Sequence, residues 1–171
     1  MNKALEPYVK LAPFLGIGLV VVAAVIVWTL VATRGSHVEL AGSIQKVRTL
    51  PLDEQSAAAI IDFRVRNPSD YTFIVRKVEV TMEDPSGKTQ EGMVISEGDA
   101  KNLFAYYPVL GQKYNDSLLI RARIKPGETV DRMLAVRFEV PEKLVQQRKN
   151  LRIRITEVDS PVISEISQGA K

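Results

Sequence analysis

The strongest constraint in this sequence is an uncharged apolar run from Ala12 to Thr33. A transmembrane helix needs a run of about 18 or more apolar residues, because a helix rises about 1.5 Å per residue and a bilayer core is about 30 Å thick. A lone span in lipid has to be helical, since only a helix pairs all its backbone groups within the segment. The run therefore predicts a transmembrane α-helix over residues 12–33.

The residues flanking this run are of the kinds that anchor a span at the membrane surface. Tyr8 and Lys10 precede it, Trp28 lies near its far end, and Arg34 follows it. Amphipathic rings and snorkelling cations belong at those depths, so we predict these four residues to be membrane anchors. The flanking lysines and arginines are nearly balanced. Because nothing in the first eleven residues would drive their own export, we predict a cytoplasmic (inner) membrane protein with its N-terminus inside and its C-terminal domain extracytoplasmic.

Two other interpretations of the run are weaker. A cleaved secretory signal has an apolar region of about 7–15 residues and a small-x-small cleavage site, whereas this run is longer and offers Leu30-Val31-Ala32. A core helix of a soluble protein usually has a polar face, and this run has none. The chain contains no cysteine, which excludes a lipid-modified N-terminal cysteine, disulfides and thiol catalysis.

The rest of the chain has the length and charge of one ordinary folded domain. The 171 residues have a net charge of +3, 25% are charged, and no basic cluster predicts nucleic-acid binding. We expect no cofactor, no metal and no small-molecule substrate. The predicted organisation is a lead over 1–11, the helix over 12–33, a hinge over 34–37, a β-sandwich over 38–159 and a loose polar tail over 160–171.

Beyond the hinge, apolar residues recur at every second position. Ile61, Phe63 and Val65, for example, alternate with Asp62 and Arg64. Such alternation is typical of antiparallel strands with one buried and one wet face. It predicts strands near 38–44, 61–66, 74–82, 118–124, 134–140 and 151–155, and a shorter one at 93–95.

Turn sequences separate these strands, and two stretches interrupt the alternation. Asn67-Pro68-Ser69-Asp70, Asp84-Pro85-Ser86-Gly87 and Lys125-Pro126-Gly127-Glu128 combine residues that favour tight turns. Two short helices are predicted, Asp99–Tyr107 from its N-cap residue and Pro141–Lys149 from its proline. The fold class is therefore mainly β, an antiparallel sandwich of about seven strands with two short helices after the N-terminal transmembrane α-helix.

Residues 60–159 resemble the bacterial immunoglobulin-like sandwich domains related to the late-embryogenesis-abundant type 2 (water-stress) fold. The resemblance rests on the strand that enters Asn67-Pro68-Ser69-Asp70, the long strand that ends at Pro85-Ser86-Gly87, and the strand that follows Lys125-Pro126-Gly127-Glu128-Thr129. It implies an immunoglobulin-like sandwich in an extracytoplasmic position and carries no catalytic residues. The insert at 99–116 departs from a minimal sandwich.

Residues suited to catalysis or metal binding are few. His37 has no cysteine or second histidine beside it, so we interpret it as a solvated residue of the hinge. The acid pairs Asp53-Glu54 and Glu83-Asp84 adjoin turns, and we interpret them as turn residues. A hydrolase with opposed carboxylates in a cleft is a third and weak hypothesis.

Two groups of residues are candidates for contact with partners. The insert is rich in aromatic residues, which are enriched at the centres of protein interfaces. Its candidate contact residues are Leu103, Phe104, Tyr106, Tyr107 and Tyr114, unless the insert instead covers an open edge or end of the sandwich. Seven arginines at outward positions form a candidate basic face for acidic lipid or an acidic partner, unless they pair with interspersed acids; they are Arg64, Arg66, Arg121, Arg123, Arg137, Arg152 and Arg154.

These features favour a non-enzymatic, single-span membrane protein. It would present an interaction domain at the outer face of the cytoplasmic membrane, as a scaffold or accessory subunit of an envelope complex. The expected partners are membrane lipid, through the span, and a protein of that complex. The alternative function is a stress-protective domain of the water-stress type.

Overall fold

The computed structural model describes residues 6–32, 39–158 and 163–168, with side chains over 16–29 in the first range. The chain falls into two units, residues 1–37 and 38–171. The first contains helix α1 (Glu6–Ala32), whose described apolar side chains are exposed. No helix within the described residues combines the length and the apolar character needed to cross a membrane, so the predicted span is not supported.

Of the four predicted membrane-anchoring residues, only Trp28 has a described side chain. Trp28 lies on α1 with its indole exposed. Tyr8 and Lys10 also lie on α1, but their side chains are not among the described ones. Arg34, His37 and the rest of the predicted hinge lie outside the described residues.

The second unit is mainly β. Its elements in chain order are β1 (Ala41–Pro51), β2 (Ala57–Arg66), β3 (Phe73–Glu83), β4 (Thr89–Val94), α2 (Glu97–Tyr106), a 3-10 turn (Pro108–Leu110), β5 (Arg123–Ile124), β6 (Thr129–Phe138), α3 (Glu142–Gln146), β7 (Asn150–Glu157) and β8 (Ile163–Gln168). The described strands pair antiparallel in the order β1-β2-β6-β4-β3-β7-β8, and β5 pairs with β3. The predicted antiparallel β fold and its two short helices are confirmed.

The sheet folds over a single main core, which makes the unit sandwich-like. Phe63 of β2 and Val136 of β6 are fully buried in one apolar cluster with Ile153 of β7. Strand β4 joins the two halves, since Gly92 pairs with Phe138 of β6 on one side and with Val80 of β3 on the other. Burial of the inner face follows from the alternation of apolar side chains along each strand.

The two outermost strands of the sheet, β1 and β8, approach each other. The backbone N–H of Leu40 donates to the Ser164 hydroxyl at 2.8 Å, and both residues are buried. A Cβ at Gly42 would lie 2.9 Å from Ile166 Cδ1 and 2.5 Å from the Arg64 carbonyl oxygen. Glycine is therefore required at this position, where the backbone passes close to its neighbours.

Two predictions for the second unit need correction. Residues 118–124 were expected to form a strand, but residues 119–122 form a turn, with Arg121 at φ 66°, and only Arg123–Ile124 are strand. The tail from residue 160 was expected to be loose, but it contributes β8. Strand β8 forms because its backbone pairs with the edge of β7 and because Ile166 is buried in the main core.

Candidate functional site

The insert between β4 and β5 packs on the outer face of β1, β2 and β6. Ala100 of α2 and Leu110 of the 3-10 turn are buried in a second apolar cluster with Leu50, Ile60 and Met133 of those strands. We call residues 97–117 the cover. Its packing explains why the outward residues of β2 near Ile60 are apolar, since this part of the strand is buried on both faces.

Helix α2 begins two residues earlier than predicted. Ser96, and not Asp99, is the N-cap residue, and its hydroxyl oxygen accepts from the backbone N–H of Asp99. The Ser96 hydroxyl donates in turn to the Asp99 carboxylate at 2.7 Å. This reciprocal capping fixes the start of the helix above the sheet.

Arg48 of β1 attaches the cover to the sheet. Its guanidinium donates to the Asp62 carboxylate at 2.7 Å, and the side chains of Arg48 and Asp62 are only 11% and 5% exposed. The same guanidinium donates to the backbone carbonyls of Leu110 at 2.7 Å and Gln112 at 2.8 Å. One arginine therefore binds the strand beside it and two residues of the cover.

Two aromatic rings of the cover stack against this cation. The Arg48 guanidinium carbon lies 5.2 Å from the ring centroids of Phe104 and Tyr114. The Lys46 ammonium lies 5.2 Å from the same Tyr114 ring, so that ring contacts two cations. Asn115 completes the arrangement by donating to the second oxygen of Asp62 at 2.9 Å. Cation–π contacts of this kind strengthen as they are removed from water.

Sequence reasoning did not identify Lys46, Arg48, Asp62 and Asn115 as a group. Asp62 was expected to be a solvated partner for surface arginines, but it is buried beneath the cover. A signal was available, because Asp62 is the only acid in Ala57–Arg66 and shares a face with Ala58 and Ile60. An acid among apolar residues on one face requires a buried partner.

The predicted contact residues divide into a partly buried group and an exposed group. Leu103 and Phe104 pack against the second apolar cluster, so the insert covers a face of the sheet and not the open edge or end that the alternative expected. Tyr107 and Tyr114 are exposed, although the Tyr114 ring contacts the cations of Lys46 and Arg48. Tyr106 is 77% exposed, and Val109, which was not predicted, is 79% exposed. The outward apolar surface of the cover is therefore centred on Tyr106 and Val109.

Four of the seven predicted basic residues are ion-paired, and they lie in two halves of the sheet. Arg64 of β2 forms a bidentate pair with Asp131 at 2.7 and 2.8 Å, which raises the pKa of Arg64 and lowers that of Asp131. Arg137 of β6 approaches Asp53 at 4.0 Å. On β7, Arg152 and Arg154 both contact Glu165, at 3.7 and 3.1 Å. These seven arginines therefore do not form one basic face.

The remaining three, Arg66, Arg121 and Arg123, form no ion pair with any described residue. All three are exposed. Arg66 is the last residue of β2. Arg123 is the first residue of β5, and β5 pairs with Phe73 and Ile74 at the start of β3. These three arginines lie near one end of the sheet.

The acid pairs fold as local turns. The pKa of Asp84 is lowered to about 2, chiefly because its carboxylate accepts from the Ser86 hydroxyl, with further donation from the backbone of Lys88. The pKa of Asp53 is also lowered, first by the Ser56 hydroxyl. Among residues 39–158 and 163–168, no three His, Cys, Asp or Glu side chains lie close enough together to hold a metal ion.

Comparison with known proteins adds a distant structural neighbour. No family model matches the chain, and no curated protein matches it. The crystal structure of an ApaG protein from Pseudomonas aeruginosa aligns with a TM-score of 0.35 and 13% sequence identity. The alignment covers 68% of this chain and 92% of that one.

Proposed function

We propose that this chain is a non-enzymatic, membrane-anchored interaction module. It presents its β domain at the outer face of the cytoplasmic membrane, as a scaffold or accessory subunit of an envelope complex. The observation that carries the proposal is the exposure of Tyr106 and Val109 on a cover that Arg48 holds firmly to the sheet. Large apolar side chains on a fixed surface are typical of interface centres.

The proposed anchor is the uncharged run over residues 12–33. Ile17, Leu19 and Trp28 expose more than half of their surface to solvent, and water is an unfavourable environment for such side chains. Thr29 is compatible with lipid, because its hydroxyl donates to the backbone carbonyls of Val25 and Ile26 at 2.9 Å.

We expect a cysteine at position 86 to report the orientation. The chain has no native cysteine, and Ser86 lies in an exposed turn, so Ser86→Cys is a single reactive site. In intact cells, Ser86→Cys should react with a membrane-impermeant maleimide, whereas Asn2→Cys should react only after lysis. The reverse pattern would mean that the domain faces the cytoplasm, and labelling of both sites before lysis would exclude a single span.

We expect the double variant Tyr106→Ser/Val109→Ser to lose a stoichiometric protein partner that co-purifies with the parent chain from mild detergent. Its melting temperature should stay within a degree or two of the parent, because both side chains are largely exposed. Leu103→Ser is the matched control, since Leu103 packs on the second cluster and its loss should lower the melting temperature. A double variant that melts several degrees lower would show that these residues serve packing, and unchanged partner binding would exclude this contact surface.

A further inference from the structure

The end of the domain where β1 begins has a distinctive surface. Ala41 opens β1 opposite Arg66, the last residue of β2, and Phe73 opens β3 opposite Ile124 of β5. The exposed side chains gathered near this end include four cations and two large apolar residues. We call them the tether rim: Arg66, Tyr71, Ile120, Arg121, Arg123 and Lys125.

The apolar members of the tether rim are held outward by a well-bonded backbone. Ile120 is 68% exposed at the tip of a turn that the Ala122 N–H closes onto the Leu119 carbonyl at 3.1 Å. Val75 of β3 fixes this turn, since its carbonyl accepts from Arg121 N–H at 2.7 Å and its N–H donates to the Ala122 carbonyl at 3.0 Å. The exposure of Ile120 is therefore set by the fold.

A buried asparagine fixes the neighbouring loops. The Asn67 side-chain amide donates to the backbone carbonyls of Tyr71 at 2.6 Å and Ile124 at 3.0 Å. It thereby ties the β2–β3 loop to the start of the Lys125 turn and leaves the Tyr71 side chain 65% exposed. The tether rim is thus a preformed surface.

The charge of the tether rim is unbalanced. Arg66, Arg121, Arg123 and Lys125 have no ion-pair partner among the described residues. Nearby acids are partly occupied, since Asp131 binds Arg64 and Glu128 accepts from the backbone N–H of Lys125 at 2.7 Å. Glu97 and Asp116 line a cleft with Ile120 and Arg121, and their carboxylates lie 3.8 and 3.9 Å from the Lys113 ammonium. Asp70 is the remaining exposed acid of the β2–β3 loop. Four unpaired cations beside exposed apolar side chains suit an anionic lipid surface, where cations bind headgroups and apolar side chains enter the interface.

Chain connectivity favours the same occupant. The eight residues 33–40 join α1 to β1, and when fully extended they span at most about 30 Å. We infer that the tether rim is a docking surface for anionic phospholipid headgroups. This inference rests on the proposed anchoring of the chain in a membrane, and it adds a second contact of the same chain with the bilayer surface.

A fluorescence experiment on the full chain tests this inference. An Ile120→Cys variant carrying an environment-sensitive dye is reconstituted into phosphatidylcholine vesicles with or without phosphatidylglycerol, and Ser86→Cys is labelled as the control at the far end of the domain. We expect brominated lipid to quench the Ile120 probe in anionic vesicles, with quenching that weakens as salt is raised. The Ser86 probe should stay unquenched in both.

Charge variants make the test specific, with a probe at position 120 in each. Arg121→Asn/Arg123→Gln removes two rim cations, and asparagine tolerates the positive φ of position 121. Docking should weaken by about 25-fold, because each cation near an anionic surface contributes roughly a factor of five. Arg152→Gln/Arg154→Gln removes the same charge from the pair held by Glu165 and should leave quenching unchanged. Equal loss in both variants would overturn a specific docking surface.

The two proposals fail in different ways. If alkaline carbonate releases the full chain from vesicles, the proposed anchoring is wrong. If the chain resists carbonate but the Ile120 probe stays unquenched in anionic vesicles, anchoring stands and lipid docking by the tether rim is wrong. If quenching is equal in neutral and anionic vesicles, the contact does not depend on anionic headgroups and the inference is also wrong.

Discussion

A Phe63→Asp variant is expected to be unfolded under conditions in which the parent domain is folded. Phe63 is fully buried in the main core, at an inward position of β2. Aspartate there removes a large apolar side chain and places an unpaired carboxyl group in an apolar environment, at a cost of several kcal/mol. Domains of this size are stable by about 5–15 kcal/mol, so the variant loses much or all of its stability.

The matched control is Arg64→Asp, one residue along the same strand. Arg64 is exposed and pairs with Asp131, so this change loses a surface ion pair and adds a like charge opposite Asp131. The expected cost is about 1 kcal/mol. Urea unfolding of the full chain in mild detergent, followed by the β-sheet circular dichroism signal, measures both. Equal effects from the two variants would mean that the register of β2 is wrong.

An Arg48→Met variant is expected to lose about 3–5 kcal/mol of stability, because it leaves Asp62 buried without its cation. The backbone carbonyls of Leu110 and Gln112 also lose their donor. Loosening should begin in the cover. Amide hydrogen exchange should therefore increase first in residues 97–117, and urea unfolding should show the overall loss.

A second variant identifies the source of that loss. In Arg48→Met/Asp62→Asn no buried charge remains, and the amide oxygen at position 62 can still accept from Asn115. We expect the double variant to recover a substantial part of the lost stability, since a buried pair can be replaced more cheaply than it can be broken. No recovery would show that the cover depends on the donated hydrogen bonds and ring contacts of Arg48, and not on neutralisation of Asp62.

Strands whose side chains alternate strictly could be predicted from the sequence. Phe63, Val136 and Ile153 all occupy predicted inward positions and are buried in the main core. The alternation is a local property of an extended chain, so it is visible without knowledge of the neighbours. The same reasoning failed at residues 118–124, where Leu118 and Ile124 are buried but Ile120 is at the tip of a turn.

Strand β8 shows the opposite failure. Its six residues contain two isoleucines and several polar residues, a pattern too short and too polar to predict a strand. Pairing with β7 and the hydrogen bond between Leu40 and Ser164 stabilise it. The hydrogen bond comes from a residue 124 positions earlier, so no local pattern could have shown it, although β7 itself ends shortly before β8 begins.

The candidate site was also only partly predictable. The aromatic content of the insert was evident, and so were the two opposed expectations that it covers an open edge or end of the sandwich or faces a partner. The structure assigns Leu103 and Phe104 to covering and leaves Tyr106 exposed. The orientation of α2 on the sheet decides which of these side chains pack and which are exposed. Arg48 helps to set that orientation through its contacts with Phe104 and Leu110, which follow it by more than fifty positions.

The uncharged N-terminal run, the antiparallel β class of the domain and the positions of its principal turns are all readable from the residues in order, because each depends on neighbouring residues. Which charges are neutralised depends instead on the three-dimensional arrangement of the strands. Arg64, Arg152 and Arg154 meet carboxylates because β2 lies beside β6 and β7 beside β8, whereas Arg66, Arg121 and Arg123 have no described partner. Ion pairing falls off within a few ångströms, so it is set by strand adjacency and register, which side-chain alternation does not encode.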